Sequence, residues 1–353
     1  MTDATGRLDH ENTRILVEQV AAECARGTEC VLVSSGAIAA GVERLGLRER
    51  PKEIAKLQAA AAVGQGLLIH EYTALFRRHG IHTAQVLLTQ FDMAHRELYL
   101  NAKRAIAELL SMGAVPVVNE NDTTAVEEIK FGDNDTLAAL VAVLAEADLL
   151  VLLSDTDGLY TEDPQRGRAR HLSRISEITP EVERMASGIG SEFGSGGMVT
   201  KIHAAKIAGA ARVGIYIADG HDPEVLRKIM DGEEIGTYFV PKKRKMPGRK
   251  IWIGFGRTVM GRVVVDEGAV RAIVHGGKSL LPAGITGYDG DFGIGDTIEV
   301  AGPDGKAVAR GSSNYAAAEL AGIKGKRSRQ IADVLGEDFS EEVIHRDFMV
   351  LMS

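Results

Sequence analysis

The chain has 353 residues, 45% of them hydrophobic and 25% charged, which suits two ordinary globular domains. A net charge of −8 argues against a general nucleic-acid binder, no apolar run approaches membrane-spanning length, and the N-terminus lacks a signal-peptide pattern. Cys24 and Cys30, whose spacing matches no metal motif, read as small core residues of a reduced cytoplasmic protein.

The first six residues are polar and read as a loop. Helical periodicity runs from Arg14 to Arg26 and stops at Gly27; Cys30 to Ser34 is strand-like, and Ser35-Gly36-Ala37 opens another helix. Pro51 to Arg78, rich in Ala, Leu and Gln, reads as a helix. Thr83 to Thr89 is a strand, Glu97 to Met112 a helix, and Ala114 to Val118 a strand. Thr136 to Glu146 is a helix, Asp148 to Ser154 an apolar strand, Gly197 to Gly209 a helix and Val213 to Ala218 a strand. Strands that alternate with helices and lack internal polar alternation predict an α/β fold, with a mostly parallel sheet covered on both faces.

That pattern ends at Pro241. Lys242, Lys243, Arg244, Lys245, Arg249 and Lys250 follow with no acidic residue among them, read as a solvated linker over residues 241–260. A basic run of this kind also occurs in nucleic-acid patches and nuclear localisation signals. Beyond it, short runs at Arg262 to Val265, Ala272 to His275 and Thr297 to Val300 are punctuated by Gly, Asp and Pro, which predicts an all-β segment over 261–339. Residues 340–353 form a tail, and 1–240 the first domain.

Polar side chains gather where strands end and helices begin, the usual ligand position in open α/β sheets. Asn119-Glu120-Asn121-Asp122 follows one apolar strand, and Gly132-Asp133-Asn134-Asp135 leads into the next helix. One such cluster would read as turn and N-cap chemistry; two beside one strand point to a carboxylate or other anion, which amide donors and a helix N-terminus favour. Ser195-Gly196-Gly197-Met198-Val199-Thr200-Lys201 is a glycine-rich entry to a helix that fits neither the Walker nor the dinucleotide spacing. A phosphate cradle and a flexible turn are equal readings of it. Ser154 and Asp155 close an apolar strand at a usual nucleotide position. Ser34-Ser35-Gly36 lies at a strand-to-helix junction without the glycine pattern or His partner of a nucleophile elbow. His10, His70, His79, His82, His95, His171 and His203 show no metal-ligand spacing, so each reads as a surface or satisfied side chain.

Together these segments resemble the amino-acid kinase superfamily and, within it, the glutamate 5-kinases. The likeness rests on Val33 to Gly41, Asn119 to Asp122, Gly132 to Asp135, Ser154-Asp155 through Asp163-Pro164, and Gly196 to Lys201; the part from about Gly261 to Gly336 resembles a PUA domain. The resemblance implies a three-layer α/β/α sandwich plus a small β-rich C-terminal domain. It implies ATP-dependent phosphorylation of the γ-carboxylate of L-glutamate, the first step of proline biosynthesis, with Mg²⁺ carried by the nucleotide. Ser35, Asp122 and Asn134 would bind L-glutamate. Ser154, Asp155 and the loop Ser195, Gly196, Gly197, Met198, Val199, Thr200 and Lys201 would bind ATP. Lys201 would stabilise the transferring phosphoryl group and Asp135 would orient catalytic lysines. A homo-oligomer and feedback inhibition by proline are further implications.

In one respect the chain departs from that pattern. The family opens with a strand and a Lys-[small/apolar]-Gly-[Ser/Thr]-Ser segment, whereas this chain opens on Met1-Thr2-Asp3 and its first lysine is Lys52. As written it is expected to lack one central strand and one phosphate-binding lysine, and so to be poorly active; a misplaced start is the expected cause, because the other site segments are intact. The alternatives are another amino-acid kinase, acetylglutamate kinase-like or aspartokinase-like, or a defunct kinase scaffold presenting an RNA-binding PUA domain. Acidic residues outnumber basic ones from Arg257 onwards, which weighs against RNA, although Lys324, Lys326, Arg327 and Arg329 form a basic cluster.

Overall fold

The computed structural model describes residues 8–89, 92–93, 96–124, 134–162, 167, 169–187, 197–242, 246, 248–251, 253–254, 259–326 and 340–352. The chain divides into two compact units, Met1–Lys245 and Met246–Ser353.

In chain order the first unit holds α1 (His10–Ala25), β1 (Leu32–Val33), α2 (Ala37–Arg44), α3 (Ile54–Arg77), β2 (Thr83–Leu88), α4 (Arg96–Ser111), β3 (Val115–Glu120), α5 (Asn134–Leu144) and β4 (Leu149–Ser154). It continues with β5 (Leu159–Tyr160), β6 (His171–Leu172), β7 (Arg174–Ile175), α6 (Pro180–Ser187), α7 (Met198–Ala210), β8 (Gly214–Asp219), α8 (Val225–Met230) and β9 (Thr237–Phe239). Helix α1 starts four residues before its periodicity does. Asp9 accepts from the Asn12 amide at 3.0 Å, so the cap sets the start while the apolar stripe begins only at Leu16 and Val17.

Strands β1, β3 and β2 pair in parallel in that order. A second sheet has the order β4-β8-β9-β7, with β4 parallel to β8 and β8 antiparallel to β9. Among the described residues the strands of the first unit fall into three hydrogen-bonded groups, the third being the pair β5-β6, and the mostly parallel pairing read from the sequence holds within β1-β3-β2, β4-β8 and β7-β9. Among the described residues β1 pairs with β3 and β4 with β8, and the other edges of β1 and β4 face a common cleft of about 1050 Å³.

Helices α5 and α7 are apolar on nearly every side, and both lie in the interior. Helices α2 and α3 pack backbone to backbone. A Cβ on Gly41 would stand 1.8 Å from the Ala60 carbonyl oxygen, and one on Gly64 would stand 1.7 Å from that of Ala37.

The second unit holds α9 (Gly248–Ile251), β10 (Val259–Val265), α10 (Glu267–Val274), β11 (Ile285–Gly290), β12 (Thr297–Ala301), β13 (Ala307–Ser312), α11 (Ala317–Ile323) and β14 (Met349–Leu351). Its five strands order β11-β10-β12-β13-β14 over a separate core that includes Val263, Ile298, Val300, Leu320 and Ile344. The strand expected at Ala272 to His275 is instead the end of α10. Asp266 accepts from the Ala269 amide at 2.7 Å and starts a helix that carries the apolar run through Ile273.

Candidate active site

The polar segments converge because parallel strands all deliver their carboxyl ends to one side. The Ser34 amide donates to the Val118 carbonyl at 3.0 Å, so pairing of β1 with β3 continues to Ser34. Strand β3 continues through Asn119 and Glu120, two residues beyond the Ala114 to Val118 strand expected from the sequence; Leu88 of β2 pairs with Glu120. Asn119 is only 6% exposed, and its Oδ1 accepts from the Glu120 amide at 2.9 Å. After β1 the chain turns sharply: Gly36 has φ of 105°, the left-handed region that a side chain resists, and a Cβ there would meet Leu8 at 3.0 Å. Helix α2 begins at once, leaving Ser35 on the wall of the cleft.

Two helix starts supply the charged centre. Asn134 and Asp135 form the first turn of α5, and both line the cleft. Lys201, in the first turn of α7, places Nζ 3.0 Å from Asp135 Oδ2. Thr200 Oγ1 stands 2.6 Å from the same carboxylate oxygen and 2.7 Å from the Gly197 carbonyl oxygen. A lysine that is 7% exposed requires such a partner. The pair gives a fixed cation between two helix N-termini, where incoming anionic groups are favoured.

Strand β4 ends in Ser154 and Asp155 on the same cleft; Ser154 Oγ donates to Asp155 Oδ1 at 3.1 Å. The following turn is pinned from beneath. Gly158 has φ of 144°, and a Cβ there would lie 2.5 Å from Thr237 Oγ1. That buried hydroxyl accepts from the Leu159 amide and donates to the Leu172 carbonyl, both at 2.7 Å. The Tyr160 hydroxyl donates to both Asp157 oxygens, at 2.9 and 3.0 Å. Gly220 and His221, beyond β8, line the cleft beside Ser154; the Gly220 amide donates to the Ser154 carbonyl at 2.8 Å.

The structure therefore brings Ser35, Asn134, Asp135, Ser154 and Asp155 to one cleft and joins Lys201 to it through Asp135. Asp122 lies in the turn after β3 and is not among the described residues lining that cleft. Met198, Val199 and Thr200 form the start of α7, with Gly197 ahead of it. Gly132, Asp133, Ser195 and Gly196 fall outside the described residues. Sequence reasoning passed over His221 and Thr237, which fit no spacing rule. It also passed over Gln65 and Tyr72 on α3, which bond to Asn119 and Ser34; nothing in their spacing marks them.

Comparison with known proteins adds family context. Residues 5–219 match the amino acid kinase family and residues 261–335 the PUA domain. Glutamate 5-kinase of Carboxydothermus hydrogenoformans is 52% identical over 341 residues, covering 95% of this chain and 91% of that protein. The Moorella thermoacetica glutamate 5-kinase is 46% identical over all 353 residues and 93% of its own length. That of Burkholderia multivorans is 50% identical over 346 residues, 98% of this chain and 93% of that protein.

Proposed function

Because this chain belongs to the amino acid kinase family, we propose that it transfers the γ-phosphoryl group of ATP to the γ-carboxylate of L-glutamate. The products are L-glutamyl 5-phosphate and ADP, and the reaction is the first step of proline biosynthesis. The observation that carries the chemistry is the Lys201–Asp135 pair at 3.0 Å, set between two helix N-termini beside the cleft.

A carboxylate is already a nucleophile, so the reaction needs no general base. It needs two anions brought into line and their charge neutralised. Lys201 is the cation for the transferring group, and Asp135 with Thr200 fixes where its ammonium stands. Ser154, Asp155 and the start of α7 hold the nucleotide. Ser35, Asp122 and Asn134 hold glutamate, the amide of Asn134 donating to a carboxylate at the helix start. Mg²⁺ would be carried by the nucleotide, since this ion binds through phosphates with one or two carboxylates, and Asp135 and Asp155 stand at the cleft. When bound it neutralises phosphate charge.

The test is ADP formation from ATP, required to depend on both L-glutamate and Mg²⁺, with hydroxamate trapping of the acyl phosphate. Turnover with N-acetylglutamate or aspartate and none with glutamate would overturn the reading.

A further inference from the structure

We propose that Gln65 and Tyr72 of α3 are positioning residues that set the spacing between the two segments holding the acceptor substrate; the inference rests on the glutamate-site reading above. From Leu57 to Ile69, α3 carries no charged residue, and its inner face packs in an apolar cluster. Gln65, within that run, and Tyr72, just beyond it, stand seven residues apart, hence about two turns and on one face, and each ends on a different strand. The Tyr72 hydroxyl lies 2.9 Å from Ser34 Oγ, where β1 ends. Gln65 Oε1 accepts from Asn119 Nδ2 at 3.2 Å, near the end of β3. Those strands are neighbours in register, Val33 opposite Val118, and they lead into Ser35 and into Asn121-Asp122.

Burial makes these contacts costly to waste. Tyr72 is 0% exposed and Ser34 2%. Phenylalanine would fill nearly the same space without a polar atom to satisfy, so packing alone does not account for the hydroxyl. Ser34 Oγ stands between two partners, the Tyr72 hydroxyl at 2.9 Å and the Ser35 carbonyl at 3.2 Å. The chain from α3 thus runs through Tyr72 and Ser34 to the Ser35 peptide, immediately before the left-handed turn at Gly36. The far side of that turn is held by the same helix, through the Gly41 and Gly64 contact of α2 with α3. Asn119, fixed at Oδ1 by the Glu120 amide, is fixed at Nδ2 by Gln65. One helix therefore grips both substrate segments and sets the distance between them, while β4 and the start of α7 are held by other contacts.

Tyr72→Phe and Gln65→Met remove these hydrogen bonds at nearly constant volume, and Leu68→Ala, in the same cluster, serves as a destabilising control. Each of the first two is expected to raise KM for L-glutamate about five- to tenfold, the scale of one hydrogen bond, with KM for ATP and kcat within about twofold. The control should lower Tm without that split. In the proteins without substrate, amide hydrogen exchange should quicken at residues 34–36 in Tyr72→Phe and at 119–122 in Gln65→Met, with 149–154 unchanged. Variants that melt lower yet keep both KM values, or a Leu68→Ala protein showing the same split, would overturn the inference, as would unchanged exchange in both segments. If the wild-type protein shows no glutamate-dependent turnover, the functional reading falls, and the exchange measurement still decides whether the helix holds the two segments.

Discussion

Lys201 carries the largest single-residue consequence. Its ammonium stands 3.0 Å from Asp135, and on the proposed mechanism it is needed most when the phosphoryl group is between donor and acceptor. Lys201→Ala should lower kcat about 10²–10³-fold, the usual loss for one such stabiliser, with a much smaller rise in KM for glutamate; steady-state kinetics decides it. Asn134→Ala should instead raise KM for glutamate about fivefold while calorimetry with a nonhydrolysable ATP analogue shows unchanged nucleotide affinity. Lys201, Asp135, Asn134 and Ser154 were legible because each sits in a short contiguous motif at an element end. Gln65 and Tyr72 were not: their partners lie 54 and 38 positions of chain away, in no periodic relation.

At the level of elements, α3 is the strut of the first unit. Gly64→Ala forces a Cβ to within 1.7 Å of a backbone oxygen, so α2 and α3 must part. A loss of about 1–3 kcal/mol or more is expected from such overpacking, read by urea unfolding. The helix also meets α1 through His10 Nδ1 and Glu71 Oε1, 2.5 Å apart. The hydrogen bond to Glu71 raises the His10 pKa, against a smaller opposing effect of burial. A raised folded-state pKa stabilises fully below the ordinary histidine value, and that contribution is lost as pH rises through the raised value. Glu71→Gln should return the His10 NMR titration towards its ordinary midpoint and destabilise more at about pH 5 than at about pH 9. The effect will be small, because His10 is exposed and salt screens it. Most elements were readable from periodicity and apolar runs. The failure at Ala272 to His275 came from an N-cap: Asp266 turned a short apolar run, which fits strand or helix alike, into the end of α10.

For the whole molecule, the second unit has its own sheet and its own core. Residues 246–353 expressed alone should therefore melt cooperatively by circular dichroism; a gradual, non-cooperative loss of signal would show that the unit depends on the rest of the chain. The mostly parallel character of the first unit was legible from unbroken apolar strands, because burial on both faces leaves no polar alternation. The order of its strands was not, since apolarity reports burial and is silent on which edges meet. Among the described residues β1 and β4 each have an edge with no paired strand, and such edges make the protein's own concentration a factor in its survival. Backbone donors and acceptors along such an edge are a template for any extended segment, including one from another copy that is briefly unfolded. Heating should then produce light scattering whose onset rate climbs faster than linearly with protein concentration, so that dilution, more than added salt, preserves the native fold.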